Sequence, residues 1–134
     1  MKYLYQIHMG TAVKLLNAAA SEAQSCIDDM RYSDSDLAYQ TEIAAKEVLH
    51  AAIDARRDLS IEKIPLGMRA AQVAYWLARG LSNAFIDGAP VDGTAIAPVL
   101  KAATEALSYF AYMAQSDMHA KHYGWRIIED PDEE

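Results

Sequence analysis

Helical periodicity restricts this chain more than any other feature. Four long stretches carry apolar residues every three or four positions, and turn-forming residues break the pattern at only three places. Alanine, the strongest helix former, fills 25 of the 134 positions. The first stretch has a heptad seam of Met9, Val13, Leu16, Ala20, Ala23, Ile27 and Met30, and its central alanines suggest a closely approaching neighbour. Tyr32 to Asp36 breaks it and supplies several N-cap candidates. A second helix is predicted over about Asp36 to Leu59, with Leu37, Ala44, Val48, Ala51, Ala55 and Leu59 on its core face.

Ser60 to Ile64 then forms a short link, and Pro65 suits the first turn of a third helix that reaches Ile86. The clearest loop is Asp87 to Gly93. Beyond it, Thr94 is placed to cap a fourth helix that runs to about His122, with Gly124 stopping it. Ile96, Ala103, Leu107, Phe110 and Ala114 form its core stripe, and Pro98 falls in its first turn.

The expected fold class is all-α: a single-domain bundle of about four long antiparallel helices over residues 1–128. An acidic tail over 129–134 is expected to be solvated and mobile. Tyr3, Tyr5 and Ile7 alternate with polar residues, as do Trp125 and Ile127. The ends therefore either pair as a small ribbon or let the first helix start earlier.

Charge narrows the function classes. The net charge is −7, but the last six residues carry five of the nineteen acids. Without them, fourteen acids face twelve bases, which is an ordinary body with an acidic tail. No lysine- or arginine-rich face is present to neutralise phosphates, so direct nucleic-acid binding is not expected. No apolar run approaches the ~18 residues of a membrane span, and nothing at the start reads as a signal peptide. A soluble, cytoplasmic protein is the expectation. A single cysteine, Cys26, excludes an internal disulfide and reads as a small buried filler.

Motifs for chemistry are sparse. Glu47 and His50 have the Glu-x-x-His spacing of di-iron bundles, but such sites need a second copy and two further glutamates. Glu47, His50, Asp54 and Asp58 read instead as a solvated strip opposite Val48, Ala51 and Ala55. His119 and His122 sit one turn apart near a helix C-terminus, where the negative dipole end explains them without a metal. Cys26 has no histidine within reach on its own helix, and no nucleophile elbow, phosphate loop or dinucleotide fingerprint occurs. No catalytic residue, metal ligand or cofactor is therefore assigned.

What remains is the polar strip of the third helix. Arg69, Gln72, Trp76, Arg79 and Asn83 fall on one side of it, while Ala70, Val73, Leu77 and Leu81 fall on the other. A tryptophan between arginines on a face expected to meet water has the composition of a binding hot spot. Gly80 lies beside Trp76, and an interior helical glycine implies close approach to its backbone. Tyr112 places a second aromatic on the polar face of the fourth helix.

The expected function is a non-enzymatic interaction module. An inhibitor or adaptor binding a larger protein or nucleoprotein fits best, in the style of phage and mobile-element inhibitors or immunity proteins. A homodimeric structural subunit and a metal- or ligand-binding bundle are the alternatives. An intramolecular explanation competes for Trp76, in which Trp125 or Ile127 covers it.

Overall fold

The computed structural model describes the backbone of residues 2–6, 9–86, 88–123 and 125–128, and the side chains of 9–86 and 88–115. Four helices follow the breaks in the sequence: α1 (Met9–Met30), α2 (Asp36–Leu59), α3 (Leu66–Ala84) and α4 (Gly93–Tyr123). Two short strands flank them, β1 (Lys2–Gln6) and β2 (Trp125–Ile128). Each helix packs on its neighbour in sequence, and α4 closes the ring against α1. The result is the all-α antiparallel bundle that short links between long helices favour. An even number of helices returns both chain ends to one end of the bundle. There β1 and β2 pair as a parallel ribbon, with Lys2 opposite Trp125 and Gln6 opposite Ile128. The acidic residues 129–134 and the helix stop at Gly124 lie outside the described residues.

Local chemistry sets the helix ends. Ser35 caps α2, its hydroxyl accepting from the Ala38 N–H at 3.0 Å. The fourth helix starts earlier than Thr94 implies, because Asp92 takes the capping role. Its carboxylate accepts from the Thr94 and Ala95 N–H groups, both at 3.1 Å. An ionised carboxylate outcompetes a hydroxyl at a helix N-terminus, where the dipole favours negative charge. Pro98 consequently falls in the second turn, not the first, where it withholds an N–H from Thr94. Asp92 is itself fastened to α2, since its N–H donates to the buried Thr41 hydroxyl at 2.8 Å.

The core is built mainly from alanine, which lets helix axes come close. Its largest members are Phe110, Leu16, Ile27, Leu59 and Leu77. On α1 the buried line is Ala12, Leu16, Ala19, Ala23, Cys26 and Ile27, rotated from the predicted seam. Met9, Val13, Ala20 and Met30 sit half-buried at its margin. The rotation arises because α1 packs on α2 at one side and α4 at the other, so its stripe points between them. On α2, Leu37 is exposed while the remainder of the predicted core face is buried. Cys26 is a buried filler, and burial raises its thiol pKa above the ordinary value, with the Asp29 and Asp92 charges adding to the effect. Among the described residues no helix is long and apolar enough to cross a membrane.

Candidate functional site: the cleft between α2 and α3

Gly80 packs directly against α2. A Cβ at this position would run into that of Ala51 and come within 3.2 Å of the Glu47 carbonyl oxygen. The close approach that the sequence implies is thus made by the chain's own second helix. Side chains on either flank of this crossing then border a cleft of about 260 Å³. Ala51 and Gly80 form its floor. Glu47, His50 and Asp54 rise from α2, and Trp76, Arg79 and Asn83 rise from α3.

The structure separates the predicted strip into structural and accessible members. Arg69 belongs to the first kind. It is buried, its Nε donates to the Ile64 carbonyl at 2.8 Å, and its Nη1 donates to the Leu59 carbonyl at 3.0 Å. Those carbonyls belong to the end of α2 and the following link, so Arg69 is a clamp between helices and not a surface anchor. Gln72 is half-buried, and its Oε1 is buried without a hydrogen-bond partner among the described residues.

Trp76 has both characters. It packs against the core formed by Leu59, Val73, Leu77 and Phe110, yet remains half-exposed. Its indole N–H donates to the Asp58 carboxylate at 2.5 Å, which fixes the ring. Tyr75 meets the ring edge-on at 5.7 Å, and the Arg79 guanidinium lies 5.7 Å from its centre. Tyr75 itself is 60% exposed, and Arg79 is exposed. Asp58 of α2 and Tyr75 and Arg79 of α3 contact the indole, and the side chains of Trp125 and Ile127 lie outside those described. Because Trp76 carries packing as well as surface, its removal would disturb fold and binding together. Asn83 is half-buried in the cleft wall. Tyr112 is exposed on α4 and does not line the cleft.

The acidic residues of α2 are a correction to the predicted solvated strip. His50 is exposed as expected, but Glu47, Asp54 and Asp58 are half-buried along the seam with α3. At 100° per residue, positions 47, 54 and 58 lie within about 60° of Ala51, the residue on which Gly80 closes. They flank the contact and do not oppose the core. The interior glycine signalled a close approach in the sequence, but that Ala51 meets it, and that these acids border the contact, follows from the packing of the two helices.

The charges of the cleft are unevenly satisfied. Arg57 lies 3.4 Å from the Asp54 carboxylate and 3.6 Å from that of Asp58, which also accepts from Trp76. The side chains of Glu47, His50 and Asn83 make no hydrogen bond or ion pair with any described residue. None of the residues lining the cleft is a serine, threonine or cysteine. Among the described residues no group of three or more His, Cys, Asp or Glu is arranged to hold a metal ion. The side chains of His119 and His122 lie outside those described.

Comparison with known proteins leaves the site to be read from its own geometry: no protein family, no curated protein and no solved structure matches this chain.

Proposed function

We propose that the protein is a non-enzymatic interaction module, an inhibitor or adaptor that binds a protein or nucleoprotein partner through the face around Trp76. One observation carries the reading. Trp76 is half-exposed and held by Asp58, with the exposed Tyr75 and Arg79 against its ring. Trp, Tyr and Arg are the residues that most often dominate binding energy. Here the central ring is ordered before a partner arrives, so little rotamer freedom is left to lose on association.

The test separates binding from folding by leaving Trp76 in place. Tyr75→Ala combined with Arg79→Glu alters exposed side chains and is expected to leave the melting temperature nearly unchanged. The partner captured from the native host by the wild-type chain should be lost by this variant, with affinity reduced on the order of thirtyfold or more. Undiminished capture by a folded variant would refute the reading. A chain that is dimeric by native mass, and becomes monomeric in the variant, would assign the same face to self-association instead.

A further inference from the structure

Charge is divided unevenly along the bundle. With each helix cut at its midpoint, the half that carries the ribbon holds eight of the twelve Lys and Arg residues. The same half holds only four of the Asp and Glu residues whose backbone is described, while the other half holds four bases and nine acids. The six residues after Ile128 carry five acids and no base, and they follow the basic half. Strand direction sharpens this. β1 runs into α1, and β2 lies parallel to it with Ile128 opposite Gln6, three residues before α1 begins. The chain therefore leaves Ile128 heading toward the first turns of α1, not away from the bundle.

Three bases at this end have no carboxylate partner. Lys14 on α1, Arg56 on α2 and Lys63 in the following link are exposed, and no described acid lies within ion-pair distance of any of them. Arg56 donates instead to the neutral amide oxygen of Asn17 at 2.6 Å, one turn along α1 from Lys14. The two cations thus bracket the α1/α2 seam. The other described charges here are Arg57, engaged by Asp54 and Asp58, Arg69, held by backbone carbonyls, and Glu62 in the link.

We propose that residues 129–134 fold back along the α1/α2 seam, their carboxylates seated against Lys14 and Arg56 with Lys63 beside them. The inference goes beyond the reading of the Trp76 face and does not depend on it. Reach permits the contact. Six extended residues span about 20 Å, whereas Lys14 and Asn17 rise about 8 and 12 Å along α1 from Met9. A lone exposed ion pair would not order such a segment, but several acids against several bases form a network. Attachment to β2 also holds the acids at high effective concentration. The other half of the bundle, with its excess of acids, repels the segment. A segment strapped here ties β2 to the first two helices.

Backbone amide relaxation of residues 129–134 in the 134-residue chain tests this. In about 10 mM salt their order parameters should exceed the roughly 0.6 that bounds flexible backbone. In about 1 M salt, where the Debye length falls from about 30 Å to about 3 Å, they should drop below that value. Lys14→Gln, Arg56→Gln and Lys63→Gln combined should cause the same drop in low salt, while Lys101→Gln in the acidic half should not. The reciprocal variant, with Glu129, Asp130, Asp132, Glu133 and Glu134 changed to their amides, leaves the helices untouched. It should shift the Lys14, Asn17 and Lys63 amide signals, and it decides the matter if the triple variant fails to fold. Flexible values in low salt, indifference to the triple substitution, an equal drop in Lys101→Gln, or unmoved signals in the reciprocal variant would each overturn the proposal. So would order that disappears on dilution, which would place the segment on a second copy.

Discussion

Among the described residues, the α2/α3 and α1/α4 seams each border a cleft, and the two differ in what lines them. Between α2 and α3 the cleft measures about 260 Å³ and is walled by Glu47, His50, Asp54, Trp76, Arg79 and Asn83. Between α1 and α4 it measures about 550 Å³, over Ala18, Ala97, Pro98 and Ala102, with Glu22, Lys101 and Glu105 at the rim. No aromatic residue lines the larger cleft. The smaller one exists because a glycine draws two helices together, forcing neighbouring polar side chains to the border of the contact. Volume alone therefore says little about function in a bundle. The chemistry that a close crossing collects says more.

The largest test of this contrast is Gly80→Val. Its added methyl groups must enter space that Ala51 holds, so a loss of about 3 kcal/mol is expected, or roughly 10 °C in melting temperature. The few tenths of a kcal/mol that valine gains over glycine in a helix do not offset this. A neutral melt would mean that α3 slides freely along α2, and that the cleft has no fixed floor.

Arg69→Met comes next, at about 2 kcal/mol, because the Leu59 and Ile64 carbonyls lose a charged donor in a buried setting. If stability is retained and partner binding is lost, Arg69 would return to the surface role that its place on the strip suggests. Asp58→Asn weakens a charge-assisted bond to the indole and should cost about 1 kcal/mol. The same change should shift the Trp76 indole N–H signal toward that of a solvated ring. An unmoved signal would separate Asp58 from the ordering of Trp76.

On the buried line of α1, Cys26 belongs to the core cluster that includes Ile96, Val99 and Ala103. Its burial and raised thiol pKa predict iodoacetamide alkylation slower than in the unfolded chain. The sign of the linked pH effect follows. With the folded pKa above the unfolded one, the stability contribution is complete below the ordinary thiol value. It declines as pH rises from there through the folded value, and Cys26→Ala should abolish that decline. Rapid alkylation would show that the α1/α4 seam opens readily. Ala18→Leu, on the open α1/α4 cleft, should change stability by no more than about 0.5 kcal/mol. A large loss there would remove the distinction between the seams.

How much of this was legible beforehand varies by residue. The α2 limits, the Pro65 entry to α3, and burial of Cys26, Val48, Leu77 and Phe110 all follow from spacing and turn chemistry. The capping by Asp92, where Thr94 was expected, turned on competition between two local acceptors. The strip on α3 was visible as a strip, but its division was not. Arg69 and Arg79 have the same side chain and the same strip, yet one is buried against the end of α2 and the other is exposed. Helical periodicity assigns a residue an angle around its own axis. It does not say which neighbour occupies that angle, or how far along the axis that neighbour ends.

The sequence by itself determined four helices, their breaks, the alanine-rich core and an aromatic set among polar residues, because these depend on propensity and period within one segment. Only the tertiary structure decided that Gly80 meets Ala51, that Asp58 holds Trp76, and that Glu47 and Asn83 face one cleft unpaired. Those facts depend on the register between α2 and α3. That register is set by how side chains of two segments fill shared space, which no single helix encodes.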